Sequence, residues 1–177
     1  MTNEALANQA AHQLALAALL HDIGKLAQRA GWRSGTHTEL GGEFVSTYVP
    51  QRWREHLYPV MGHHDRPIEG RATKIVALAD RLSAAEREES EKRDKRQLVS
   101  ILCRVGRSDE LPDRKFWPLQ PLSLRENVIF PDEPLPRDEE SQAYQALWDG
   151  FVEAVEGLPD NDLPTYLAGL YDALRHF

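Results

Sequence analysis

The sequence has a single cysteine, Cys103, so no disulfide can close within the chain and no zinc site can be assembled from thiolates. It has no apolar run approaching the roughly 20 residues that cross a bilayer. Its opening, MTNEALANQAAHQ, lacks the basic stretch that heads a secretory signal. A cytoplasmic location without a membrane partner is therefore expected. Internal repeats and low-complexity tracts are absent too, which sets aside fibrous and disordered classes. Basic residues are in deficit, 21 Lys and Arg against 28 Asp and Glu for a formal charge of −7. That balance argues at first sight against a nucleic-acid binder. What is there is 177 residues, 41% of them hydrophobic, with a mean hydropathy of −0.53. This describes one soluble globular domain, or one with an appendage, long enough to bury a core.

The acidity is unevenly spread. Residues 131–177 carry 11 acidic and 2 basic residues, a net of −9, which leaves residues 1–130 at +2. Histidine is skewed the other way: His12, His21, His37, His56, His63 and His64 all fall in the first 64 residues, and only His176 lies beyond. Imidazole chemistry belongs to the near-neutral part of the chain.

The pattern predicts a mainly α-helical protein. Residues 3–30, rich in Ala, Leu and Gln and free of Pro and Gly until Gly24, read as one long helix whose LALAALL stretch is apolar all round and therefore buried. Thr36 and Glu39 form a capping-box signature ahead of a helix to Val49, ended by Pro50, in which Gly41-Gly42 would let another helix come close. A short helix over 51–58 should lead into a loop, MGHHDRPIEG. A helix over 71–89 should follow, with Ile75, Leu78, Ala79 and Leu82 as its apolar face and Asp80 embedded at its centre. The charged run 87–96 reads as a solvated helix end or linker. LVSILCRV and ENVIF read as two short strands, a small β-hairpin-like insertion, with the Pro-punctuated FWPLQPLSL between them. Two amphipathic helices, 141–156 and about 163–176, close the chain. Cys103 reads as a small core residue, and Trp32, Trp53, Trp117 and Trp148 as core or interface.

Six side chains carry the chemistry: His21, Asp22, His37, His63, His64 and Asp80. Neutral imidazoles and carboxylates suit divalent Mn, Fe, Co, Ni or Zn, and a carboxylate can bridge two ions. Two such ions can activate a water, neutralise a phosphodiester and stabilise the leaving oxygen. Adjacent residues on a helix diverge by about 100°, so His21 and Asp22 can share a site only at the end of a buried helix. Asp80, on an otherwise apolar face, would be costly to bury unpaired; a metal would neutralise it, as an ion pair with Lys74 or Arg81 also would. Lys25, one turn past His21, is a candidate phosphate clamp, with compensation of a helix-end dipole as its plainer role. His12, nine residues before His21, faces away from it on a straight helix and reads as a surface residue, as does His56.

The order of these residues, an HD pair closing an apolar helix, a lone His, a double His and an Asp within a helix, is similar to that of the HD metal-dependent phosphohydrolases. More particularly, HDIGK-x-x-QRAG, THTELGGEF, the HH pair and ALADRLSAAERE resemble the N-terminal HD nuclease domain of the large signature subunit of type III-A CRISPR effector complexes. The segments LVSILCRV, PLQPLSLRENVIFP and AYQALWDGFVEAV extend the resemblance over nearly the whole chain. It implies an HD helical core over residues 1–90, and over 91–177 a linker with short strands and helices leading to a palm domain that this chain does not contain.

The resemblance also implies a function, cleavage of single-stranded DNA with one or two divalent transition metals, Mn, Ni or Co ahead of Fe or Zn. It implies His21, Asp22, His37, His63, His64 and Asp80 as ligands, with His21, Asp22 and Lys25 as the catalytic group. The partners implied are palm domains and other effector subunits with guide RNA, the isolated fragment being a monomer. An HD phosphohydrolase of small nucleotides and a catalytically silent assembly module stay open as alternatives.

Overall fold

The first helix, α1 (Asn3–Leu20), starts where the Thr2 hydroxyl accepts a hydrogen bond from the Ala5 amide at 3.3 Å. It is seen in a computed structural model of the chain, which describes residues 2–84, 116–121, 123–126 and 135–177. The single long helix expected to Ala30 is two helices: α1 stops at Leu20, and α2 (Ile23–Arg29) follows after a break at His21-Asp22. LALAALL is likewise buried on one face only, with Leu16, Ala17 and Leu20 inside and Ala15 and Ala18 exposed.

α3 (His37–Tyr48) begins with the capping box: Thr36 Oγ1 accepts from the Glu39 amide, and Glu39 accepts from the Thr36 amide at 2.7 Å. The helix expected over 51–58 is split into α4 (Gln51–Arg54) and α5 (Tyr58–Gly62). Pro59 has no amide hydrogen to donate, so it sits in the first turn of a new helix instead of inside an old one. The double histidine is consequently anchored at the end of α5, where His63 is the C-cap, and does not lie in a free loop. α5 comes close to α3 at the two glycines: a Cβ on Gly41 would lie 3.0 Å from Val60, and one on Gly42 would crowd Met61.

α6 (Arg71–Ala84) turns the other way from expectation. Ile75, Leu78 and Leu82 are 42%, 57% and 65% exposed, while Thr73, Val76 and Ala77 are buried and Asp80 is half-buried. Positions 73, 76, 77 and 80 share one helical face. The aspartate, aimed inward, fixes which stripe meets the body of the protein.

α7 (Arg137–Glu156) opens with Asp138, Glu139 and Glu140, whose charges suit a helix N-terminus, and α8 (Leu163–His176) starts from the Asp162 cap. Both close on the N-terminal helices in one core: Phe151 stacks on Phe44 at 5.8 Å, while Trp148 meets Trp32 at 5.1 Å and Tyr166 meets Trp53 at 4.6 Å with the rings tilted. The fold is mainly helical. The charged run 87–96, the strand expected at 98–105, Cys103, and the strand expected over 126–130 apart from Glu126 lie outside the described residues, as does the boundary expected at residue 90. Among the described residues no helix is long and apolar enough to cross a membrane.

Candidate metal centre

The break between α1 and α2 is what lets adjacent His21 and Asp22 face one place. His21 is the C-cap of α1 and Asp22 precedes α2, so neither is held to the divergence of a continuous helix. Asp22 lies at the middle of the cluster. Its Oδ2 is 3.4 Å from His21 Nε2, and its Oδ1 is 3.9 Å from His37 Nε2 and 4.0 Å from His63 Nε2. Asp80 joins from α6, with Oδ1 3.6 Å from His21 Nε2. Its neighbour is therefore His21, and neither Lys74 nor Arg81 pairs with it. The His63 and His64 rings lie 4.1 Å apart, and His37 is 5.1 Å from His64.

Two triads result, His21/Asp22/Asp80 and His37/His63/His64, each with one ligand atom per residue all within 4.8 Å of one another. All six expected ligands are brought together. His12 is not: it borders an apolar cavity with Leu19 and Tyr171, and His56 pairs with Glu55 at 3.1 Å.

The proton positions follow from the backbone. His21 Nδ1 is 2.7 Å from the Ala18 carbonyl and His63 Nδ1 is 2.9 Å from the Pro59 carbonyl. A carbonyl oxygen only accepts, so both Nδ1 atoms carry a proton and both Nε2 atoms are turned toward the cluster. This is how metal-ligating histidines are ordinarily oriented. Burial holds His63 and His37 below the ordinary imidazole range, helped by the neighbouring His64 charge for the first and the Lys25 charge for the second. Burial works to raise the Asp22 carboxyl, but the hydrogen bond from Lys25 and the charges of His21, Lys25 and His37 outweigh it and hold the group below its usual range. At neutral pH Asp22 is a carboxylate, and His37 and His63 are neutral.

Three buried atoms here have no hydrogen-bond partner: Asp22 Oδ1, His37 Nε2 and His63 Nε2. Leaving such atoms unsatisfied is costly, and both imidazole nitrogens face Asp22 Oδ1 across distances too long for hydrogen bonds. A divalent cation satisfies them together, so the donor set fits a metal.

Lys25 Nζ donates to Asp22 Oδ2 at 2.5 Å. Beside it opens a cavity of about 520 Å³ lined by Lys25, Gln28, Arg29 and His37. Gln28 and Arg29 were not singled out by the sequence; the signal was the spacing of Lys25 and Arg29, four residues apart and so on one helical face. Gly24 is the other missed residue. A Cβ there would overlap the His37 carbonyl oxygen, so α2 can lie against the start of α3 only with glycine at this position.

Comparison with known proteins gives the family. The HD-domain family model matches residues 3–85. Residues 3–85 are thus an HD domain. The particular resemblance, to the HD domain of the type III-A CRISPR large subunit, holds as well. The chain is 30% identical over 167 residues to the CRISPR system single-strand-specific deoxyribonuclease Cas10/Csm1 (subtype III-A) of Methanocaldococcus jannaschii, covering 81% of this chain and 20% of that protein. It also matches the crystal structure of Csm1 in T. onnurineus with a TM-score of 0.59 and 24% identity, covering 83% of this chain and 22% of that one. The chain thus spans about a fifth of the length of these relatives.

Proposed function

We propose that this chain is a divalent-metal-dependent nuclease domain that hydrolyses single-stranded DNA, working within a type III-A CRISPR effector complex. The observation that carries the reading is the convergence of six candidate ligand side chains, three of which hold a buried, unsatisfied polar atom. The relative named a single-strand-specific deoxyribonuclease supports the choice of substrate.

His21, Asp22 and Asp80 would hold one ion, and His37, His63 and His64 a second, with Asp22 lying between the two triads. When bound, such ions supply activation of a water and neutralisation of the phosphodiester charge. The chain's own groups do the rest. The Ala18 and Pro59 carbonyls keep His21 and His63 in the tautomer that presents Nε2. Lys25, partly exposed and hydrogen-bonded to Asp22, is placed to turn its ammonium to a non-bridging phosphate oxygen. The donor set of imidazole nitrogens and carboxylates suits divalent Mn, Fe, Co, Ni or Zn, and the resemblance puts Mn, Ni or Co first. Palm domains and guide-RNA-bearing subunits would supply the remaining contacts to substrate.

The test is cleavage of a labelled single-stranded oligonucleotide across Mn, Ni, Co, Fe, Zn and Mg, comparing wild type with the His21→Ala/Asp22→Ala double variant. Wild type should cut in the presence of a transition metal, and the double variant should fall to background while keeping its helical circular dichroism. A double variant that cuts as fast as wild type would overturn the assignment. Preferential turnover of mononucleotides would move the substrate to a small nucleotide.

A further inference from the structure

The cavity beside the metal centre has a composition unlike the others. Among the described residues its lining is two cations, one amide and the ligand His37, with no carboxylate. A cavity of about 500 Å³ near α5 is bordered by Glu55 and Glu69 as well as Arg71, and one of about 360 Å³ is an apolar groove around Leu19, Leu167 and Tyr171. Neither of those touches the six ligands or suits a polyanion.

Within the basic cavity the two cations are differently engaged. Lys25 is committed to Asp22. Arg29 lies four residues further along α2, about 6 Å of helix rise, and is paired with no carboxylate among the described residues. What holds it is Tyr144 of α7: an Arg29 N–H donates to the tyrosine oxygen at 3.4 Å, and the guanidinium carbon lies 5.6 Å from the ring centre. One of five N–H donors is spent there, and the side chain is oriented by doing so. Gln28 donates one amide hydrogen to the Gly35 carbonyl at 3.0 Å, which orients its side chain. An oriented guanidinium with donors to spare, opening on a cavity that begins at a metal ligand, is suited to a phosphate group.

We infer that this cavity is a subsite for the sugar-phosphate backbone, in which Arg29 binds the phosphate next to the scissile one and so positions the strand. The inference rests on the nuclease reading for the identity of the strand. Arg29 is a positioning residue; it supplies nothing to the bond being broken.

Two measurements on the whole chain test it. In the first, anisotropy of a labelled single-stranded oligodeoxynucleotide gives the affinity of wild type, Arg29→Gln and Arg29→Lys without requiring cleavage. Arg29→Gln should bind roughly tenfold more weakly, with a salt dependence shallower by about 0.7 in the log–log slope, and Arg29→Lys should recover most of both. In the second, with the ion that best supports cleavage, Arg29→Gln should raise KM for the oligonucleotide. Its turnover of bis(p-nitrophenyl) phosphate, a phosphodiester with no neighbouring phosphate, should fall much less than its efficiency on the oligonucleotide. Equal affinity of Arg29→Gln and wild type overturns the subsite. A parallel loss on both substrates also overturns it, since that is what a purely structural role predicts. Absence of cleavage by wild type with every ion would overturn the nuclease reading alone, because the affinity comparison stands without it.

Discussion

Gly24 is where backbone geometry controls the ligands. An added methyl group would collide with the His37 carbonyl and crowd the Gly41 amide at 2.8 Å, and both obstacles are main chain, which cannot rotate away. Alanine ordinarily stabilises a helix over glycine by about 1 kcal/mol. Here the overlap should reverse the sign, costing about 1–3 kcal/mol or more. Since α2 also carries Lys25 and follows directly from Asp22, moving it off α3 separates Asp22 from His37. Gly24→Ala should therefore lower Tm and weaken Mn binding at least tenfold by calorimetry; unchanged metal affinity would mean that His37 is not a required ligand. The six candidates were picked out in the sequence by their residue types and joint order, and the fold gathers them into two neighbouring groups. Gly24 and Arg29 were not readable, because their importance lies in what comes next to them in space.

At the scale of elements, caps were legible and faces were not. The Thr36/Glu39 box and the closing helix over 163–176 were found where local hydrogen bonding alone decides. The direction of α6 was misread because Ile75, Leu78 and Leu82 are the stronger hydrophobes, yet Asp80 has partners on only one side. The break at His21-Asp22 had no glycine or proline to announce it.

The cap of α8 gives a prediction in pH. Asp162 accepts from the Thr165 amide and hydroxyl, both at 2.9 Å, and these bonds hold its carboxyl below the usual range. The folded state then binds fewer protons than the unfolded one, so the contribution is fully present above the ordinary carboxylate pKa and is lost as pH falls through the folded value. Asp162→Ala should lower Tm at neutral pH, with the gap to wild type narrowing below about pH 4. Asp162→Asn, which keeps an acceptor but not the charge, should fall between Asp162→Ala and wild type at neutral pH. A gap that does not vary with pH would show that the charged cap is not the source.

At the scale of the whole molecule, the charge and the core divide the chain differently. By charge it splits near residue 131, with the acidic surplus on α7 and in the sequence on either side of it, while α8 itself balances Asp172 against Arg175. By packing it does not split: Trp148, Phe151, Val155, Tyr166 and Leu170 lie in one cluster with Leu16, Leu20, Leu40 and Phe44. The candidate metal centre thus rests on helices whose inner faces are finished by α7 and α8.

Phe151 tests this coupling, being fully buried and stacked on Phe44 of α3, the helix that begins with His37. Phe151→Ala should cost about 3–5 kcal/mol in urea unfolding, a large share of the 5–15 kcal/mol typical of a domain. If the histidines and carboxylates bind metal only when the fold is closed around them, Mn at a hundred times its Kd should return about 2.7 kcal/mol. Wild type and Phe151→Ala should then both gain Tm with added Mn, while the His21→Ala/Asp22→Ala variant gains none. A Phe151→Ala protein that unfolds over residues 137–177 but keeps full Mn affinity would separate the centre from the C-terminal helices.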